Sequence, residues 1–240
     1  MINEKPKYKR ILLKLSGESM MGKKDFGIDP DFIFYLGNEI KEARKTGVEI
    51  VVVVGGGNIF RGVAGSKEGM DRTTADYMGM LATIFNGMAL QDALERINVT
   101  SRLQTAFEIK EIAEPFIRKR AIRHLEKSRI VIAGGGTGLP FITTDTAAAM
   151  RALELNCEAI FKATGVDGVY SKDPKKDKNA KKYERITLEE AFKSDDIGIM
   201  DNSAIDLCRS NTMSVVVFNI YNSGNLKRAV LGDNIGTLIE

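Results

Sequence analysis

Short apolar runs rich in β-branched residues recur at 11–15, 49–54, 129–133, 159–161 and 214–218, and runs such as V-V-V-V and S-V-V-V-F show no alternation of apolar with polar. Such strands have no face to turn to water, so they belong in a parallel sheet covered on both sides. Helical patterns separate them. Asp29-Pro30, an N-cap followed by a first-turn proline, opens a predicted helix with Phe32, Ile33, Leu36, Ile40 and Ala43 on one face, and Gly47 is placed to end it. Further helices are predicted at about 73–95, 146–155 and 204–209. This is the α/β class, with helices on both faces of a mainly parallel sheet. The polar stretch 171–182 reads as a solvated loop rather than a linker, because the strand pattern resumes at Ser214. Residues 1–240 are therefore expected to form a single domain with an N-terminal and a C-terminal lobe.

Composition removes several classes of function. With 43% hydrophobic and 28% charged residues the chain can bury a core. A net charge of +3, from 35 basic and 32 acidic side chains, is too balanced to announce strong nucleic-acid or membrane-surface binding. No apolar run approaches the roughly 20 residues that span a bilayer, and M-I-N-E-K-P-K-Y-K-R lacks the apolar stretch of a signal peptide. A cytoplasmic location is expected. Cys157 and Cys208 have no paired spacing and are expected to be reduced and buried. The lone histidine, His124, lies in a basic helical segment and is expected at the surface.

Three glycine-rich turns follow three of the predicted strands: L-S-G at 15–17, G-G-G-N at 55–58 and G-G-G-T-G at 134–138. Ligands of open α/β sheets bind beyond the carboxyl ends of the strands, where glycine lets backbone N–H groups approach an anion. Glycine also serves ordinary tight turns, and neither a G-x-x-x-x-G-K-[ST] nor a G-x-G-x-x-G motif is present. Lys14, in I-L-L-K-L-S-G, either snorkels to solvent or meets an anion, and Lys162 in F-K-A-T-G repeats the pattern. Arg61 can add bidentate phosphate contacts or stand exposed. Asp145 lies where a helix N-cap is expected and could also orient the lysines, while Asp201 is a second possible cap. Tyr170, in V-D-G-V-Y-S-K-D-P, suits a hairpin or a stacking face for a base. The methionine-rich segment at 78–88 reads as helix packing.

Taken in order, K-L-S-G, V-V-V-V-G-G-G-N-I-F-R-G, A-D-Y-M-G-M-L-A-T, G-T-G-L-P-F-I-T-T-D-T-A-A, K-A-T-G-V-D-G-V-Y-S-K-D-P, V-F-N and the closing G-T-L-I resemble the bacterial UMP kinases of the amino acid kinase family. The resemblance spans essentially the whole chain. It implies a three-layer α/β/α sandwich around a mainly parallel sheet, with an acceptor-side N-terminal lobe and an ATP-side C-terminal lobe. The implied reaction moves the γ-phosphoryl group of ATP to UMP in pyrimidine biosynthesis. Magnesium would be carried on ATP with no resident metal ligand, and the assembly would be a homohexamer.

Residue by residue, Lys14, Leu15, Ser16 and Gly17 resemble the ATP-phosphate segment; Gly57, Arg61, Thr164, Tyr170 and Asp173 would touch the same nucleotide. Gly56, Asp76 and the loop Thr137, Gly138, Leu139, Pro140, Phe141, Ile142, Thr143 and Thr144 would bind UMP, with Asp76 at the ribose hydroxyls. Lys14, Lys162 and Asp145, with Asp201, match the catalytic positions. Gly22, Lys23, Lys24, Asp25, Phe26 and Gly27, with Arg102, match a segment where many members bind GTP as an activator. Gln91 departs from the arginine that some members carry there. Two other classes compete: a kinase of the same family acting on a carboxylate or carbamate, and a non-catalytic nucleotide sensor. Asp76 and the loop at 137–144 favour a nucleotide acceptor over the first, and the Lys14 and Asp145 pair favours catalysis over the second.

Overall fold

The apolar runs pair side by side. A computed structural model describes residues 5–61, 69–172, 177, 179–193 and 199–240. Its strands are β1 (Arg10–Leu15), β2 (Glu49–Val54), β3 (Ser101–Thr105), β4 (Glu114–Pro115), β5 (Ile130–Gly134), β6 (Ala159–Thr164), β7 (Val169–Tyr170), β8 (Lys182–Tyr183), β9 (Arg185–Ile186), β10 (Ser214–Asn219) and β11 (Thr237–Ile239). Nine of them form one sheet in the order β4-β3-β5-β2-β1-β6-β10-β11-β9, parallel at every pairing except β10 with β11. β7 and β8 form a separate antiparallel ribbon.

Helices α1 (Pro30–Arg44), α2 (Arg72–Arg96), α3 (Arg118–Glu126), α4 (Thr144–Glu154), α5 (Leu188–Lys193), α6 (Asn202–Ser210) and α7 (Asn225–Leu231) cover the sheet. The predicted start of α1 is realised: Asp29 accepts from the Asp31 amide at 3.1 Å, ahead of Pro30. Alternate strand residues face opposite layers. On β1, Ile11, Leu13 and Leu15 pack with α1, α2 and α7, whereas Leu12 packs with the layer of α3, α4, α5 and α6. On β6, Ala159, Phe161 and Ala163 take the first side and Ile160 the second. This is the expected three-layer α/β/α arrangement, and the doubly covered strands explain the missing alternation.

Strand order places the site. From β1 the chain builds outward through β2 on one flank and later through β6 and β10 on the other, so β1 sits where the winding reverses. Parallel strands bring the carboxyl ends of β1, β2, β5 and β6 to one edge, where the glycine turns emerge. No helix among the described residues is long and apolar enough to cross a membrane.

One expectation is corrected. His124 is buried rather than exposed: its Nε2 lies 3.1 Å from Glu114 Oε2 and its Nδ1 3.1 Å from Arg129 Nη1. Arginine only donates, so Nδ1 accepts and Nε2–H donates to Glu114. Cys157 and Cys208 are unpaired and buried, and burial pushes each thiol up to about 12.

Phe161 is fully buried at the centre of this packing, its ring 5.5 Å from Tyr8 and 6.2 Å from Phe218. Phe161→Ala is expected to cost about 3–5 kcal/mol in urea unfolding. Phe26→Ala, at a side chain 67% exposed, should stay within about 0.5 kcal/mol of the parent. Equal losses at the two positions would contradict this account of the core.

Candidate active site

Lys14 on β1 and Lys162 on β6 are register partners in a parallel pair, so their side chains leave the same face of the sheet. Both point into the layer that holds α4. Side by side and nearly buried, with side chains 11% and 12% exposed, two ammoniums repel and lose hydration. Asp145 answers both: Lys14 Nζ lies 2.7 Å from Oδ1 and Lys162 Nζ 2.9 Å from Oδ2. Lys162 Nζ also donates to the Ile199 carbonyl.

The expected N-cap role of Asp145 is corrected here. Thr143 caps α4, accepting from the Thr146 amide at 3.1 Å, and Asp145 stands in the first turn with its carboxylate turned inward. Burial alone would raise the Asp145 carboxyl; the Lys14 and Lys162 ammoniums overcome that and hold it below its ordinary value. Burial lowers the Lys162 ammonium, only partly offset by Asp145.

Asp201 does cap α6, accepting from the Ala204 amide at 3.1 Å, and it also staples α6 to the start of α4. Its Oδ1 accepts from Thr146 Oγ1 at 2.8 Å and its Oδ2 from Thr143 Oγ1. Its charge adds to the field at Lys162. Two ammoniums, two carboxylates and a helix N-terminus thus meet at the strand ends. Among the described residues no three His, Cys, Asp or Glu side chains cluster as a metal cage, and both oxygens of Asp145 and of Asp201 already have partners.

The first two glycine turns are pressed together: a Cβ on Gly17 would lie 2.6 Å from the Gly57 nitrogen, and one on Gly55 2.8 Å from the Gly17 nitrogen. The third turn needs glycine for its backbone, since Gly135, Gly136 and Gly138 have φ of +79°, +58° and +80°. Ser16 precedes a 3₁₀ turn at Gly17–Met21, and the Leu15 carbonyl accepts from the Gly55 amide at 2.9 Å while its side chain is buried in the core.

A cavity of about 250 Å³ opens beside these turns. Gly56, Asp76, Thr137, Leu139, Ile142, Thr143 and Thr144 line it, as do Gly57 and Arg61, which the sequence had suggested for the ATP side. Gly138, Pro140 and Phe141 belong to the same loop without lining it. Phe141, at φ +67°, donates its amide to Asp76 Oδ2 at 2.8 Å. Arg61 contacts Glu18.

Sequence reasoning missed Arg72, whose Nε stands 2.9 Å from both oxygens of Asp76 and whose guanidinium lies 5.4 Å from the Phe141 ring centre. The signal was its place four residues before Asp76 on a helix. Thr83, which also lines the cavity, and the Asn58–Asn86 pair were missed as well.

Other candidates lie apart. Thr164 ends β6 two residues beyond Lys162, its hydroxyl donating to the Val166 carbonyl at 2.8 Å. Tyr170 on the β7–β8 ribbon donates to Asp167 Oδ1 at 2.6 Å, which pushes the phenol up. Asp173 lies outside the described residues. Gly22 and Gly27 bound an exposed turn, with φ of +56° and +82°, that carries Lys23, Lys24, Asp25 and Phe26. Arg102 instead shares an open groove of about 380 Å³ with Gln91, Lys110 and Glu111, and nothing from 22–27 lines it. The structure does not bring the two parts of that suggested effector site into one cavity.

The sequence profile of the amino acid kinase family matches residues 9–219. The chain belongs to the amino acid kinase family. Similar solved structures include a UMP kinase from Bacillus anthracis, at 40% identity and a TM-score of 0.93 over 97% of this chain and 96% of that one. A UMP kinase from Ureaplasma parvum has 36% identity and a TM-score of 0.90, over 97% and 98%. A uridylate kinase from Archaeoglobus fulgidus has 27% identity and a TM-score of 0.73, over 96% and 99%. The lysine pair and its aspartate therefore sit within a kinase fold.

Asp145→Asn would remove the carboxylate that both buried ammoniums contact, leaving Asp201 as the remaining opposite charge near Lys162, and a loss of about 3–5 kcal/mol is expected at neutral pH. Because the folded carboxyl is lowered, its stabilisation is full above the unfolded value near pH 3.9 and fades as pH falls through the folded one. Urea melts from pH 3 to 8 should show parent and variant converging at the acid end. A constant gap across that range would count against the ion trio.

Proposed function

We propose that this kinase transfers the γ-phosphoryl group of ATP to UMP, giving UDP and ADP in pyrimidine nucleotide biosynthesis. The observation that carries the reading is the Lys14–Asp145–Lys162 trio at the carboxyl ends of neighbouring strands, beside a cavity that offers Arg61, Arg72, Asp76 and the N-terminus of α4. Its likeness to two UMP kinase structures along nearly the whole chain supports the choice of acceptor.

The chemistry follows from charge. The second ionisation of a phosphate monoester lies near pH 6, so the acceptor already carries its nucleophilic charge at pH 7 and needs no base. Asp145, held below its ordinary value by two lysines, is in any case a poor proton acceptor. Its work is to orient them. Lys14 and Lys162 offset the charge that spreads over the phosphoryl oxygens during in-line transfer, where positioning and electrostatics dominate. On this reading magnesium would be carried on the ATP phosphates, where it bridges and neutralises charge during transfer.

On this reading one domain spans residues 1–240. The acceptor meets Gly56, Asp76 and the loop from Thr137 to Thr144, and ATP meets Lys14, Ser16, Gly17, Gly57, Thr164, Tyr170 and Asp173 towards the C-terminal lobe. Two unpaired buried thiols fit a cytoplasmic protein. GTP is the proposed activator, held by the exposed lysines at 23 and 24 or, in a separate groove, by Arg102 and Lys110. A homohexamer, the assembly the resemblance implies, is proposed; the exposed apolar stripe of Met78, Leu81, Phe85 and Met88 on α2 supports self-association of some kind.

A coupled ADP-release assay with UMP, CMP, GMP and aspartate as acceptors tests the assignment, and repeating it across GTP concentrations reads activation. UMP is expected to be the preferred acceptor; turnover with aspartate alone would overturn the reading. Lys14→Ala should lower kcat by about 100-fold or more while UMP affinity changes by less than about threefold.

Self-association has its own measurement. Phe85→Glu is expected to convert a six-chain particle into smaller species in sedimentation velocity. Parent protein that sediments as single chains would end the hexamer proposal.

A further inference from the structure

Helix α2 carries two buried polar residues, Thr83 and Asn86, where an apolar core is the rule. Asn86 is fully buried and Asn58, in the second glycine turn, nearly so. Asn58 Nδ2 donates to Asn86 Oδ1 at 3.0 Å and to the Gly27 carbonyl at 2.8 Å; Asn86 Nδ2 donates to Asn58 Oδ1 at 2.6 Å and to the Gly55 carbonyl at 2.7 Å. Every N–H and both oxygens of the two amides are used. A buried amide is costly unless so satisfied, and no residue of similar shape offers both the donors and the acceptor. What the pair holds is the second turn, gripped at Gly55 and at Asn58.

One turn back on the same helix face, the buried Thr83 hydroxyl donates to the Met80 carbonyl at 2.7 Å and accepts from the Gly135 amide at 2.8 Å, which grips the third turn. Between these anchors Gly56 is seated on the helix without slack, since a Cβ there would lie 2.7 Å from the Gly79 carbonyl oxygen and 2.8 Å from Ala82 Cβ. Two and three turns further back, the same helix carries Asp76 and Arg72 into the cavity.

We propose that this inward face of α2 is the alignment rail of the reaction, with Thr83 and Asn86 as positioning residues that fix the spacing between the second and third glycine turns. The inference rests on the kinase reading above and deepens it. Asn86 lies away from the cavity, and Thr83, at its wall, has its hydroxyl already committed to Met80 and Gly135. Each holds a backbone turn whose placement decides whether donor and acceptor lie in line, and a misplacement of about 1 Å can cost roughly 100-fold in rate.

Thr83→Val preserves shape and removes only the hydroxyl. It is expected to lower kcat with UMP by about 10- to 100-fold, with KM for ATP and for UMP within about threefold. Amide hydrogen exchange should quicken at Gly135, and Thr83→Ser, which keeps the hydroxyl, should restore both kcat and protection. Asn86→Asp, followed by circular dichroism to confirm folding, should quicken exchange across 55–58 instead. Parent-like kcat in Thr83→Val, or losses of kcat, KM and thermal stability that rise together and are not rescued by serine, would overturn the proposal. If the parent protein leaves UMP unphosphorylated, the kinase reading fails, and exchange then decides the rail: unchanged protection at Gly135 in Thr83→Val refutes it, and selective loss there sustains it.

Discussion

A carboxylate held between two ammoniums governs the arrangement of this molecule. Lys14 and Lys162 occupy paired positions on adjacent parallel strands, so the sheet itself forces their charges together. At a strand spacing of roughly 5 Å, the repulsion is on the order of 3 kcal/mol for an effective dielectric near 20, before any cost of burial. Asp145 relieves it only if α4 begins at the right place over β1 and β6. That start is set by the Thr143 cap and by Asp201, which bonds both Thr143 and Thr146 while capping α6. A charge problem created by two strands is thus solved by two helices, α4 directly preceding β6 in the chain and α6 following it.

The glycines around this trio serve different physical ends. In the first two turns they are demanded by close approach, because backbone meets backbone where a side chain would collide. In the third turn they are demanded by left-handed backbone angles. Neither requirement is itself a binding property. Binding capacity arises because the packed turns end strands whose neighbouring lysines supply positive charge, and because α4 adds its N-terminus to the same edge. The turns are therefore best understood as consequences of bringing three strand ends and one helix within reach of a single anion-rich ligand.

Much of this was legible in the chain, for identifiable reasons. The β2 and β10 runs declare themselves because strands covered on both faces must be apolar throughout, and α1 declares itself through Asp29-Pro30. β3 does not: S-R-L-Q-T hides a strand because Arg102 and Gln104 turn towards Glu114 rather than into an apolar layer. The short β9 and β11 are held by edge pairing, which leaves little trace in composition. Lys14, Lys162 and Asp145 could be singled out one by one, but that Asp145 bridges both lysines follows from strand register, which one sequence does not display. His124 was misread because Glu114 stands on β4, whose place beside β3 one sequence does not display, while Arg129, five residues on, closes the pair locally.

The same dependence on register explains why the acceptor side is organised differently from the trio. Charges at strand ends are fixed by sheet hydrogen bonds, which a helix cannot supply, whereas a helix can carry several groups at set intervals along one rigid axis. Arg72, Asp76, Thr83 and Asn86 lie within fifteen residues of α2, spanning roughly 20 Å. The sheet therefore sets where positive charge is concentrated, and α2 sets where the cavity stands relative to it. Moving phosphoryl charge in line requires both, and the contact surface on which they must agree is the packing of Gly56 against Gly79 and Ala82. That contact tolerates no added atom. A strand-borne electrostatic site and a helix-borne pocket then share one geometry, with Thr143 at the seam, lining the cavity while its hydroxyl donates to Asp201.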